Sequence, residues 1–276
     1  VVPTFPATKF SFKIMAHLLI LDALNLIRRI YSVQTKQYPD DAVARLIATD
    51  MTMQRAVSTI LQESSPTHVI AVFDSDAPGW RKARYTAYKE GRIVMPDELR
   101  KGLNQLQDSL FKLGIDSLVS ETDEADDLIA TLVKPLAGSQ HQVTLISTDK
   151  GFCQLLDSGL QIRDYFNKRW LDHDFVKQQY GIRPSQLVDF WALTGISGMN
   201  IKGVPGVGEK TAQQLLAEFG SLVQLLQAEA GDNKKVKLVQ QHRDDCLLAQ
   251  ELVRLKDDIP LGFNLRDLRY QPAEQT

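Results

Sequence analysis

Three short apolar runs, each closed by an aspartate, constrain this chain more than any other feature. His17-Leu18-Leu19-Ile20-Leu21 runs into Asp22, His68-Val69-Ile70-Ala71-Val72-Phe73 into Asp74, and Val143-Thr144-Leu145-Ile146-Ser147-Thr148 into Asp149. Continuous β-rich runs of this length suit strands buried on both faces. Residues 42–61, 99–113 and 127–136 carry a helical pattern between them, and residues 115–119 suit a further strand. Strands alternating with helices predict an α/β fold built on a parallel sheet. From Pro184 onward the pattern changes. Residues 187–193, 211–219, 221–226 and 243–255 read as short helices, and no strand run is evident. A boundary is expected near 181–184. A core of residues 15–181 is then followed by a helical region, 182–276. Residues 1–14 precede the first methionine, Met15, and are expected to be an extension outside the fold.

Composition matters here mainly for what it excludes. With 43% hydrophobic and 24% charged residues, the chain can bury a sizeable core. No run approaches the ~18 apolar residues of a membrane span, and residues 1–14 do not resemble a secretory signal. The two cysteines, Cys153 and Cys246, form no Cys-x-x-Cys pattern, and the five histidines are scattered. Any metal is therefore expected to be a hard cation on oxygen ligands. A net charge of −2 argues against a uniformly basic nucleic-acid binder, so local patches decide that question.

Ligands of open parallel sheets bind beyond the carboxyl ends of the strands, where Asp22, Asp74 and Asp149 are expected. Glu124-Ala125-Asp126-Asp127 follows the strand at 115–119 and opens a helix, adding a fourth acidic group. One such aspartate is often only a turn residue or helix cap. Four acidic sites on one edge repel one another unless something positive compensates. A divalent cation, magnesium above all, suits carboxylate oxygens and phosphate chemistry, and two ions about 4 Å apart could serve both attacking and leaving oxygens.

The segment from Trp80 to Arg92 mixes five basic residues with three aromatics. Charges neutralise phosphates and aromatic faces stack on unpaired bases, although an ordinary solvated loop can look the same. Further on, Gly203-Val204-Pro205-Gly206-Val207-Gly208-Glu209-Lys210-Thr211 opens a helix. Glu209 separates the last glycine from Lys210, and no strand precedes, so a nucleotide-binding Walker loop is excluded. The glycines and the helix start instead suit a sequence-independent grip on a phosphate backbone.

In this order, Leu19-Ile20-Leu21-Asp22, Val72-Phe73-Asp74, Tyr85-x-x-Tyr88-Lys89, Glu124-Ala-Asp-Asp127, Ser147-Thr-Asp-Lys150 and the glycine turn resemble the 5′-nuclease family. The resemblance runs from Met15 to about Leu255 and is strongest to its stand-alone bacterial members. It implies a nuclease core with a helical arch near residues 80–105, then a DNA-binding region containing a helix–three-turn–helix. It implies magnesium held by Asp22, Asp74, Glu124, Asp126 and Asp127, with Asp149 marginal. It implies catalytic help from Arg81 and Lys89, and DNA contacts from Arg81, Arg84, Tyr88, Lys89 and Arg92. The turn would bind potassium through the carbonyls of Leu193, Thr194, Lys202, Val204 and Val207, with Gly206, Val207, Gly208, Glu209, Lys210 and Thr211 facing DNA. Many family members carry three further carboxylates where this chain has Gly151, Ile196 and Met199. Both magnesium ions are therefore expected at the first site, the second completed by substrate.

The expected activity is that of a flap endonuclease, hydrolysing phosphodiester bonds at 5′ flaps of branched DNA by metal-activated water in replication and repair. It is expected to act as a monomer in the bacterial cytoplasm. One rival is a DNA-structure binder that lost activity with the missing carboxylates. A small-molecule phosphatase is the other, but it would have no use for the basic-aromatic segment or the glycine turn.

Overall fold

The computed structural model describes residues 16–74 and 78–272. The expected extension lies outside the described residues. Six strands form one sheet: β1 (His17–Asp22), β2 (His68–Phe73), β3 (Ser117–Val119), β4 (Gln142–Ile146), β5 (Leu160–Asp164) and β6 (Arg169–Trp170). Their spatial order is β3-β2-β1-β4-β5-β6. All neighbours run parallel except β6, which pairs antiparallel to β5.

Alternation along β1 explains the unbroken apolar run. Leu18 and Ile20 enter one buried cluster, and Leu19 and Leu21 enter the other, on the opposite face. A fully buried leucine or isoleucine contributes about 1.5–3 kcal/mol, so both faces of the strand favour this placement. Helices α1 (Ala23–Gln37), α2 (Ala42–Ser64), α3 (Trp80–Arg84), α4 (Asp97–Lys112) and α5 (Ala125–Val133) come from the first half of the chain. Of these, α1, α2 and α4 cover the Leu19 face through Ile27, Met53, Val57, Leu99 and Leu106. The Leu18 face takes α5 through Leu128 and Ile129. Helix α5 ends where Pro135, which lacks an N–H, begins a short 3-10 turn at Lys134–Leu136.

The core closes with α6 (His173–Tyr180), and the helical region contributes α7 (Leu187–Thr194), α8 (Glu209–Phe219), α9 (Leu222–Gln227), α10 (Lys234–Gln241) and α11 (Arg243–Val253). Leu187, Phe190, Leu216, Val239 and Leu252 share the cluster that holds Leu18 and Ile20, so this region has no separate core. Between α7 and α8 lies a hairpin, β7 (Gly195–Ile196) with β8 (Ile201–Lys202).

The fold departs from the sequence reading in several elements. Helix α1 was not expected: it starts directly after β1, so no turn residue separates it from the apolar run. Helices α6 and α10 are only eight residues each. Strand β5, next to the edge strand β6, has exposed or half-buried residues at every second position, and β6, β7 and β8 are two residues each. The arch region is not helical throughout: α3 is one turn, residues 85–96 contain no helix, and α4 begins only at Asp97.

Candidate active site

Chain order reverses between β1 and β4, which opens a crevice at the carboxyl ends of the central strands. The acidic residues converge there, each fixed by local backbone chemistry. Asp22 ends β1 and caps α1, accepting from Asn25 N (3.4 Å) and from the Ser147 hydroxyl (2.7 Å). Asp74 follows β2 and accepts the Ala125 N–H (2.7 Å) at the start of α5. Asp149 follows β4 and accepts the Gly151 N–H (2.7 Å). Asp126, in the first turn of α5, accepts no hydrogen bond among the described residues. All four line a cleft of about 890 Å³ together with Glu124.

The electrostatics show a cluster short of positive charge. Burial pushes Asp22 up to about 7; the Ser147 hydrogen bond opposes this, and Asp149 and Asp74 add to it. Burial also raises Asp126 well above the ordinary carboxylate range, followed by the charges of Asp149, Asp74 and Asp22, with Lys89 opposing. Asp149 is thus the leading charge acting on Asp126, although its missing partners predicted a marginal role. The donor set is hard oxygen throughout, which fits magnesium. Among the described residues no group of three or more such side chains stands placed to hold a metal ion, so an ion bound in this cleft would keep several of its waters.

Glu124 takes up the neighbouring basic segment. Its Oε2 accepts from Lys89 Nζ (2.8 Å) and from the Tyr88 hydroxyl (3.2 Å). Lys89 sits at φ +54°, a left-handed backbone costing about 1–3 kcal/mol for a residue with a Cβ. Its N–H donates to Met199 O (2.9 Å), and Asn200 Nδ2 donates to Ala87 O (2.8 Å). The β7–β8 hairpin therefore pins the turn that aims Lys89 at the acids.

Three expected site residues are placed otherwise. Asp127 is wholly buried, and four donors saturate its carboxylate: Arg81 Nη1 and Nη2, the Trp80 indole and the Lys256 N–H. No oxygen is left for a cation, so the metal-ligand reading of Asp127 is corrected. One helical position separates it from Asp126, about 100° round the helix, which turns one carboxylate to the cleft and the other to the core. Arg81 is buried with it, also donating to Leu252 O (2.7 Å) and Arg254 O (2.9 Å). This guanidinium ties α3 to α5 and to the end of α11 and is not presented to a nucleic acid. Tyr88 is buried too; its ring packs under Lys89 (5.0 Å) and is not an exposed stacking face.

Arg92 is exposed and lines the cleft. Arg84, half-exposed, pairs with Glu251 on α11 (3.1 Å), a surface contact of about 0–1 kcal/mol that exchanges readily for phosphate. The sequence reading missed Arg28 and Arg29 of α1 and Arg100 of α4, which also line the cleft. They lie on helices far apart in the chain, and no local motif marks them. Asn25 was missed as well; it holds Thr148 through both the backbone N–H (3.1 Å) and the hydroxyl (3.0 Å).

On the helical region, Leu193 and Thr194 end α7, and Lys202 lies in β8 opposite Gly195. Leu193 O accepts the Val204 N–H (2.9 Å) and Val204 O accepts the Val207 N–H (3.0 Å). Each of these two carbonyls keeps a second lone pair. Gly203 must be glycine, because a Cβ would lie 2.5 Å from Leu193 O. Gly206, at φ +82°, together with Gly208, Glu209 and Lys210 forms an exposed tip where α8 begins. Thr211 is partly covered, and Val207 turns its side chain inward.

Residues 17–181 match the family model for the 5′–3′ exonuclease N-terminal resolvase-like domain, and residues 182–276 match that for the 5′–3′ exonuclease C-terminal SAM fold. Flap endonuclease Xni of Tolumonas auensis is 83% identical over 258 residues, covering 94% of this chain and 99% of that protein. Flap endonuclease Xni of Aeromonas salmonicida is 60% identical over 264 residues, covering 95% and 99%. Among solved structures, the T5 D15 protein co-crystallized with metal ions superposes with a TM-score of 0.70 at 22% identity, covering 86% of this chain and 88% of that one. The catalytic core of Rad2 in complex with DNA substrate gives 0.53 at 14% identity, covering 94% and 83%. At these identities the two structures show a shared fold.

Proposed function

The chain belongs to the 5′–3′ exonuclease family, and from that premise we propose that it is a magnesium-dependent flap endonuclease acting on branched DNA with a 5′ single-stranded flap. The observation that carries this reading is the gathering of Asp22, Asp74, Asp126 and Asp149 in one cleft whose other side is basic. Asp74, Asp126 and Asp149 would hold the cations, with Asp22 and Glu124 beside them. Magnesium there would supply Lewis-acid activation of water and charge compensation for a phosphodiester.

The protein's own groups do the rest. Lys89, aimed by the hairpin, neutralises and orients the scissile phosphate. Arg28, Arg29, Arg92 and Arg100 line the path of the single strand. The exposed Gly206–Lys210 tip grips the duplex backbone at the start of α8, where N–H groups and the helix dipole favour an anion. Potassium on the carbonyls of Leu193, Thr194, Lys202, Val204 and Val207 would fix that tip on the duplex. Both magnesium ions would gather at the first site, since Gly151, Ile196 and Met199 offer no carboxylate. A monomer in a reducing bacterial cytoplasm fits the two buried, unpaired thiols, Cys153 and Cys246. No helix among the described residues is long and apolar enough to cross a membrane.

The test is cleavage of a 5′-flap substrate across a magnesium titration, by wild type and Asp126→Ala. Metal-dependent incision by the wild type, lost in the variant with DNA binding retained, supports the assignment. Retained cleavage by Asp126→Ala contradicts it. The three absent carboxylates favour one rival, a binder that no longer cuts; tight binding by the wild type without incision would select it.

A further inference from the structure

Lys89 and Glu124 line the same cleft as Asp22, Asp74, Asp126 and Asp149. The ion pair between them (2.8 Å) is largely buried, with the Lys89 side chain 22% and the Glu124 side chain 12% exposed. The oxygen that Lys89 occupies, Glu124 Oε2, also accepts from the Tyr88 hydroxyl (3.2 Å) and stands 3.5 Å from Arg81 Nη1. Glu124 has little room to turn away, because its Cγ is seated against Gly79, where an added Cβ would lie 3.0 Å from it. The backbone of Lys89 is fixed as well: its N–H donates to Met199 O (2.9 Å), and its carbonyl accepts the Arg92 N–H (3.2 Å). What stays free to move is the four-carbon stem of the lysine. Its charge already offsets part of the repulsion on Asp126, so Lys89 serves as a cation of the acid cluster.

We propose that Lys89 and the divalent cation compete for Glu124, and that binding of the cation releases the Lys89 ammonium to the substrate phosphate. The inference rests on the nuclease reading, which gives the cleft its cation. An ion on Asp74, Asp126 and Asp149 brings two positive charges into a cleft that already holds this one, and like charges repel. Glu124 and the turn at Lys89 are both held in place, so the flexible stem takes up the movement. An ammonium tied to a carboxylate is a poor partner for phosphate, because its charge is already compensated. Released, it makes a charge-assisted bond to the phosphate instead. Cation and phosphate therefore strengthen each other's binding through one side chain.

The experiment titrates the protein with manganese, which takes the same oxygen ligands, in the absence of DNA, reading the free ion by EPR. Four proteins are compared: wild type, Lys89→Met, Glu124→Gln and the double variant. Methionine keeps the length of the stem without its charge, and at φ +54° it is no more strained than lysine. Lys89→Met should bind manganese about tenfold more tightly than wild type. In the Glu124→Gln background the same substitution should change the affinity less than about twofold, because there is no carboxylate left to contest. Equal affinity of Lys89→Met and wild type would overturn the proposal. So would an equal gain in both backgrounds, which is what simple repulsion between lysine and ion produces. Thermal melting checks the variants; if Lys89→Met does not fold, Lys89→Gly removes the same charge and relieves the left-handed backbone. A wild type that takes up manganese, with Lys89→Met no tighter, removes this proposal alone, whereas a wild type that takes up none removes the metal-dependent reading with it.

Discussion

Asp22 and Asp126 are held protonated-prone by the burial and mutual repulsion that come with their gathering in one cleft. Burial raises Asp22 from an ordinary 3.8 to about 7, and Asp126 moves in the same direction. The folded protein therefore binds these protons more tightly than the unfolded chain does. The resulting stabilisation is fully present below about pH 4 and is lost as pH rises through 7, roughly 4 kcal/mol for Asp22 alone. Buried His17 acts in the opposite sense, because burial lowers its value and favours the neutral ring. Comparing wild type with Asp22→Asn isolates the aspartate. In EDTA, urea midpoints of the wild type should fall from pH 5 to pH 8 relative to the variant, and magnesium at pH 8 should restore them. Parallel pH profiles for the two proteins would show that Asp22 is not so raised. At this scale the sequence was informative about which acids gather, since a strand-end aspartate announces its position. It was silent on which oxygens stay open: Asp126 and Asp127 are adjacent and alike in sequence, and only packing assigns one to the cleft and the other to Arg81.

Helix α5 carries both of those aspartates, so two substitutions one residue apart separate chemistry from architecture. Asp127→Ala leaves the buried Arg81 guanidinium without its anion and should destabilise the fold by about 3–5 kcal/mol, read from urea denaturation. Replacing the pair by two leucines should not recover that loss, because Leu252 O and Arg254 O would lose their donor as well. Asp126→Ala should leave stability intact or higher, since it relieves repulsion, while lowering magnesium-dependent cleavage by about a hundredfold or more. Equal loss of stability in both variants would contradict this division of labour. The long, strongly patterned elements were legible for ordinary reasons. Strands β1, β2 and β4 are buried on both faces, and α2 and α4 are long enough for their period to register. Helix α1, with no turn before it, and the two-residue strands β7 and β8 were not. Yet that hairpin sets Lys89 on the acids through Met199 O and Asn200. Its bonds reach across more than a hundred residues, a distance at which no local signal survives.

Across the whole molecule, a net charge of −2 conceals one basic surface and a separate exposed helix start. The first is the cleft wall of Arg28, Arg29, Lys89, Arg92 and Arg100; the second is the exposed tip ending in Lys210. The acid cluster lies with the first and repels any backbone that arrives without a cation, so binding in EDTA should be weaker than binding in calcium. If the cleft takes the single strand and the tip takes the duplex, the surfaces answer to different substrates. Lys210→Ala should weaken binding of a duplex lacking a flap and reduce the slope of log K against log salt by about 1. The same substitution should leave a short single-stranded oligonucleotide nearly unaffected. Arg92→Ala should reverse the pattern, with the loss on the single strand and a smaller one on the duplex. A flap substrate, engaging both surfaces at once, should register each loss, and the double variant should show their sum in log K if the two sites act independently. Anisotropy titrations of three labelled substrates at several salt concentrations measure all of these quantities. Equal losses on single strand and duplex for either variant would mean that the cleft and the tip do not divide the substrate between them.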